Sequence, residues 1–179
     1  MFQKLKLQTH TNMNKIDQYP SITAFMQNPW FPLGTDLKHI EMYTTNQEFH
    51  RRILARSMSG GRLVQAFGPE LFNKIWWDNV APVAADHSSG VTEVDNNHVA
   101  VIVEKTKPDL IITFGVIAMG AIHRCLYADG IQKMNCHHPN ARHRTAAELA
   151  DFAIRVQGWV DDWKIKQNDH NHIRTTRNR

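Results

Sequence analysis

From Ile22 onward the chain alternates short apolar runs with longer stretches in which apolar residues recur every three or four positions. Ile22 to Met26 is apolar and partly β-branched, the mark of a buried strand. Thr45 and Glu48 have capping-box spacing, and Phe49, Ile53 and Leu54 give the helix they would start an apolar face. After Gly60-Gly61, the stretch from Leu63 to Phe72 reads as helical or turn-like. Lys74 to Val80 reads as a second strand, closed by Pro82. Thr92 and Asp95 offer caps for a helix carrying Val99, Ile102 and Val103, which Lys107-Pro108 stops. Leu110 to Phe114 is another buried strand, and Gly115 turns it into a helix from Val116 to Leu126. A last strand from Lys133 to His137 precedes a second capping box, Thr145 with Glu148. The helix beyond it carries Leu149, Phe152, Ala153, Val156 and Val160. No internal repeat stands out, so the pattern predicts a layered α/β domain on a parallel sheet.

Composition narrows the picture. At 179 residues and 42% hydrophobic, the chain suits one domain with a substantial core, and no apolar stretch nears the roughly 20 residues of a membrane span. Residues 1–20 form a polar, mixed-charge extension without the apolar centre of a secretory signal. Cys125 and Cys136, the two cysteines, are too few for a disulfide framework. A reducing cytoplasm is the expected compartment. The net charge of +4 resides in residues 164–179, where Lys164, Lys166, Arg174, Arg177 and Arg179 outweigh Asp169. This segment is expected to be a disordered, basic tail to a single domain at 21–163.

Three segments at predicted strand ends carry candidate chemistry, and open α/β sheets gather their binding groups there. Gln27-Asn28-Pro29-Trp30-Phe31 combines amides that can orient a water or a ligand with two flat apolar walls. It is equally a rigid aromatic turn over the core. Trp76-Trp77-Asp78-Asn79 should send its tryptophans to opposite layers and present Asn79 at the strand end. There a carboxamide matches a pyrimidine edge, or simply forms a turn. Cys136-His137-His138-Pro139-Asn140-Ala141-Arg142-His143 groups a thiol with imidazoles, but the spacing fits no zinc motif, so neither a metal nor another cofactor is expected. A His at this strand end can donate to negative charge developing on a leaving group.

In their order, these pieces resemble the uracil-DNA glycosylase superfamily. Its members have a first strand ending in Gly-x-Asn-Pro or Gln-Asp-Pro-Tyr, a strand ending in Asn, a Pro-to-Gly strand and a His-Pro-Ser loop. The counterparts are Gln27 to Phe31, Trp77 to Val80, Pro108 to Gly115 and His138-Pro139-Asn140, within about residues 21 to 160. The resemblance implies a three-layer α/β/α sandwich around a central, mainly parallel four-stranded sheet. It gives Asn28 the water-activating slot, as in the mismatch-directed branch, and His138 that of the group stabilising the departing base. Gln27, Trp30 and Phe31 would line the base pocket, and Asn79 would read the pyrimidine edge. Asn140, Arg142 and His143 would meet the DNA, with Arg142 as the wedge that fills the gap left by an extruded nucleotide.

The function this implies is hydrolysis of the N-glycosidic bond of uracil or a related, modified pyrimidine in single-stranded or duplex DNA, by a monomer that needs no cofactor. Asn140 in place of Ser, Arg142 in place of a Leu-like wedge and the missing Gly before Asn28 depart from the family pattern and leave the base open. A catalytically silent nucleic-acid or nucleotide-binding module of the same fold is the alternative expectation. A hydrolase of free nucleosides or nucleotides is a third.

Overall fold

A computed structural model describes residues 19–27, 38, 42, 43, 45–82, 93–141 and 145–176, with side chains through residue 169. Four strands make one sheet: β1 (Ile22–Met26), β2 (Trp76–Asn79), β3 (Leu110–Phe114) and β4 (Gln132–Cys136). Their spatial order is β2-β1-β3-β4, and every pairing is parallel. β1 and β3 lie inside the sheet and are buried throughout, which is why their sequences run apolar without alternation. The chain leaves β1 toward β2 on one side and returns to β3 on the other. The carboxyl ends of β1 and β3 therefore flank the switch point where such sheets open a crevice.

Helices cover both faces. The described helices are α1 (Gln47–Arg56), α2 (Met58–Lys74), α3 (Asn96–Thr106), α4 (Val116–His123) and α5 (Ala146–Thr176). On one face, Leu63, Phe67 and Phe72 of α2 and Phe152, Val156 and Val160 of α5 pack against Trp77, Ile112 and Phe114. On the other, Val99, Ile102 and Val103 of α3 and Ala118 and Ile122 of α4 pack against Phe25 and Ile111. The result is the three-layer α/β/α sandwich. As alternation requires, Trp77 joins the first core and Trp76 leans on the second.

Local signals explain most element ends. Asp95 accepts the backbone N–H groups of Asn97 and His98 and starts α3, while Lys107, in the left-handed region at φ 42°, ends it before Pro108. Thr145 and Glu148 form a reciprocal capping box at the start of α5, at 3.0 and 3.2 Å. α1 departs from expectation: its cap is Asn46, whose side chain accepts Phe49 N–H at 3.0 Å, rather than Thr45. The helix expected to reach Leu126 ends at His123, and a short 3-10 turn follows at Leu126–Ala128. α2 contains a break at Gly68 (φ 70°, ψ 157°) followed by Pro69, a conformation costly for any residue with a Cβ.

α5 continues through Thr176, so residues 164–176 of the basic segment lie on this helix. No proline interrupts it, and the Lys164 ammonium lies 4.9 Å from the Tyr19 ring centroid, anchoring the stem to the start of β1. Of the N-terminal extension, residues 1–18 lie outside the described residues. Tyr19 packs against the first core and Pro20 is buried. No helix among the described residues is long and apolar enough to cross a membrane.

Candidate functional site

The candidate residues that fall on described positions gather at the carboxyl edge of the sheet. Gln27 follows β1 directly and is half-buried; its carbonyl accepts Ala81 N–H at 2.9 Å, and Met26 carbonyl accepts Val80 N–H at the same distance. These bonds carry the β1–β2 pairing past the strands and fix Asn79 between them. Asn28, Trp30 and Phe31, like Arg142 and His143, lie outside the described residues.

Asn79 is 2% exposed. Its Nδ2 donates to the Tyr43 hydroxyl at 3.4 Å, and its Oδ1 is buried with no hydrogen-bond partner among the described residues. An unmatched buried acceptor costs roughly 1–3 kcal/mol unless a donor reaches it. Tyr43 stacks on His50 with ring centroids 3.9 Å apart. Burial raises the Tyr43 hydroxyl far above its ordinary range. Burial likewise pushes His50 down to about 4, against the opposing pull of Asp78, and leaves a neutral ring at pH 7 with its Nε2 also unmatched among the described residues.

The backbone behind Asn79 is held from outside. β2 is an edge strand, and the N–H and C=O of Trp77 would otherwise lack a neighbour there. Gln47 supplies one: its Nε2 donates to Trp77 carbonyl at 2.8 Å and its Oε1 accepts Trp77 N–H at 3.1 Å. On the opposite face Asp78 accepts the Asn79 N–H at 2.8 Å, the Trp76 indole N–H at 3.3 Å and His98 Nε2 at 2.9 Å. That hydrogen bond with Asp78, outweighing partial burial, raises the His98 pKa.

At the other edge, β4 delivers His138 to a tightly tied loop. Its Nδ1 accepts Asn140 N–H at 3.2 Å, which leaves the ring proton of the neutral imidazole on Nε2. Burial lowers the His138 pKa, so the neutral form prevails at pH 7. His138 carbonyl accepts Ala141 N–H at 2.8 Å. Two α2 side chains complete the clamp: Arg62 Nη1 donates to Pro139 carbonyl at 2.7 Å, and Ser59 Oγ accepts from Asn140 Nδ2 at 2.8 Å. Asn140 Oδ1 is buried without a partner among the described residues. Gly115 lies below at φ 92°, a conformation strained for any residue with a Cβ, although a Cβ there would meet that of His138 at an ordinary 3.6 Å. His137, by contrast, is exposed, and no group of three His, Cys, Asp or Glu among the described residues could hold a metal ion.

Asn79 and His138 thus stand at the ends of the two edge strands. Three inter-strand steps separate them, roughly 14 Å at the usual spacing. Sequence reasoning missed the supporting groups Tyr43, Gln47, His50, Ser59, Arg62 and His98. One signal was available for His98, which lies on the first turn after the Asp95 cap. The others depend on contacts across the fold. No protein-family model matches this chain, and no curated protein sequence does either.

Proposed function

We propose that this chain binds an extruded pyrimidine nucleotide at the carboxyl edge of its sheet and hydrolyses the N-glycosidic bond, in the manner of a DNA glycosylase. The observation that carries this reading is His138: a half-buried, neutral imidazole whose Nδ1 is taken by a backbone N–H, leaving Nε2–H as donor. A departing pyrimidine leaves as an anion with charge on its ring oxygens. A fixed neutral donor stabilises that charge without having to give up its proton. The unmatched Oδ1 of Asn79 suits an imide N–H on the same base. Asn28, one residue past Gln27, takes the water-orienting role.

In the reaction, water oxygen bonds to the sugar C1′ as the C1′–N1 bond breaks, and the bonding pair leaves with the base. The water proton passes to solvent or to the base, and His138 keeps its own. An acidic leaving base needs mainly electrostatic help, so one amide and one imidazole suffice where an ordinary glycosidase uses two carboxylates.

The test is a panel of oligonucleotides carrying uracil, thymine mismatches and hypermodified pyrimidines, read by alkaline cleavage at abasic sites. The intact protein is expected to open at least one of them. His138→Ala and Asn28→Ala should lose at least about 100-fold of that rate, with the melting temperature within a few degrees. A panel left wholly intact removes the enzymatic reading, and tight binding without abasic sites would favour the silent binding module.

A further inference from the structure

The amino-terminal end of the sheet, opposite the edge that holds Asn79 and His138, carries a cleft of about 240 Å3. It opens where β1 and β2 begin and is lined by Arg51 of α1, Lys74 at the end of α2, Lys105 of α3, and Trp76, Ser21 and Thr106. Three cations from three helices converge on it. Among the described residues none of them forms an ion pair with a carboxylate. Asp109, the acidic group bonded to the rim, is engaged by Ser21 N–H at 2.8 Å. Ser21 Oγ donates to Thr106 carbonyl at 2.9 Å, so the hydroxyl proton is spent and the hydrogen-bonding capacity toward a ligand comes from the cations.

Aromatic rings are interleaved with these charges. Lys105 Nζ sits 4.7 Å from the centroid of half-buried Trp76, and Lys74 Nζ 5.2 Å from that of Tyr19. Ammonium groups laid over rings keep their stems packed while two or more N–H donors still face outward. The Tyr19 ring also carries Lys164, whose Nζ lies 4.9 Å from its centroid, and burial first, then Glu70 and Asp161, raise its hydroxyl to about 12.

We propose that this cleft is a phosphate seat for a single-stranded nucleic acid, with Arg51, Lys74 and Lys105 neutralising phosphodiester oxygens beside the Trp76 wall. Cations set among aromatic platforms are how strands are held without regard to sequence. The recess admits a phosphate and its sugar, whereas a duplex, whose phosphates lie on a stiff, wide cylinder, rides over its mouth. The proposal stands on the cleft alone and does not require base release at the opposite edge.

Fluorescence anisotropy of a labelled oligothymidylate about a dozen nucleotides long, followed across salt concentrations, tests it. Against the intact protein, the triple variant Arg51→Gln, Lys74→Gln, Lys105→Gln is expected to bind at least tenfold more weakly at low salt. Its slope of log affinity against log salt should fall by about 2, the loss of three phosphate contacts on a single strand. The pair Lys74→Arg, Lys105→Arg should bind as the parent does. Should the triple variant fail to melt cooperatively, Lys105→Gln alone, on the exposed side of α3, should show about a threefold loss and a slope reduced by about 0.7. Equal affinity and equal slope in parent and variants would overturn the proposal. Protection of the cleft by thymidine monophosphate with no strand binding would overturn the strand assignment and make free nucleotide the ligand. His138→Ala should leave the parent-to-variant difference in place, which separates this test from that of base release.

Discussion

β2 ends in Asn79 and β4 ends two residues before His138, the two described residues that matter most for the proposed chemistry, yet the two strands are supported in opposite ways. β2 is a core strand at an edge: three of its four residues are buried, and Trp77 makes an aromatic cluster with Phe67, Phe72 and Phe114. Its free backbone side is closed by the Gln47 amide. β4, with the sequence Gln-Lys-Met-Asn-Cys, has no buried residue. What fixes His138 is the set of polar bonds from Ser59, Arg62 and the loop's own backbone. Packing positions one side of the site and hydrogen bonds position the other. Damage to the first should therefore cost stability, and damage to the second should cost activity first.

The strongest way to break this contrast is Trp77→Ala. Removing a fully buried indole should cost about 3–5 kcal/mol, measured by urea denaturation; a loss below 1 kcal/mol would remove the packing account of β2. Next comes Gln47→Ala, which strips both partners from the exposed side of Trp77. Roughly 1–3 kcal/mol should be lost, and hydrogen exchange of the Trp77 amide should accelerate while that of Ile112 does not. On the β4 side, Arg62→Ala removes a charge-assisted bond from a half-exposed clamp. Global stability should change by about 1 kcal/mol or less, while base release falls at least several-fold. A variant as active as the parent would show that the loop holds itself.

The smallest expected effect is in pH. His98 has a raised folded-state pKa, so its contribution is complete below the unfolded value of about 6.5 and is lost as pH rises through the folded value. His50, lowered to about 4, works in the other direction: its contribution is present above about 6.5 and is lost as pH falls toward 4. Stability curves of His98→Asn and His50→Phe should each flatten one limb, the alkaline limb for the first and the acid limb for the second. Both groups report on β2 through Asp78, and His138, whose pKa burial also lowers, adds to the acid limb from the β4 side, so His138→Ala should flatten that limb as well.

The same contrast governs what the amino-acid sequence disclosed. β1 and β3 were legible to the residue because strands buried on both faces run apolar, and the cap at Thr145 was legible because both partners lie within one turn. Thr45 misled because Asn46 beside it has a short amide that reaches Phe49 N–H. Asn79 and His138 were visible as polar residues where strands end. Their supports were not, since Gln47 lies 30 positions from Trp77 and Arg62 lies 77 from Pro139. Such partners become neighbours only once the order β2-β1-β3-β4 is set, and no local pattern encodes it. The helical run past Lys164 escaped notice because a cationic composition says nothing about an aromatic ring waiting at Tyr19.

The bend at Gly68 has a mechanical meaning. The first half of α2 grips the His138 loop through Ser59 and Arg62, while the second half ends in Lys74 at the opposite pole of the sheet. An unbroken rod would transmit any tug from one pole to the other. With its ladder interrupted at Gly68 and Pro69, α2 is two helical segments meeting at a joint, one reaching each pole of the sheet, so a shift at one of the two proposed sites need not be carried along the helix to the other.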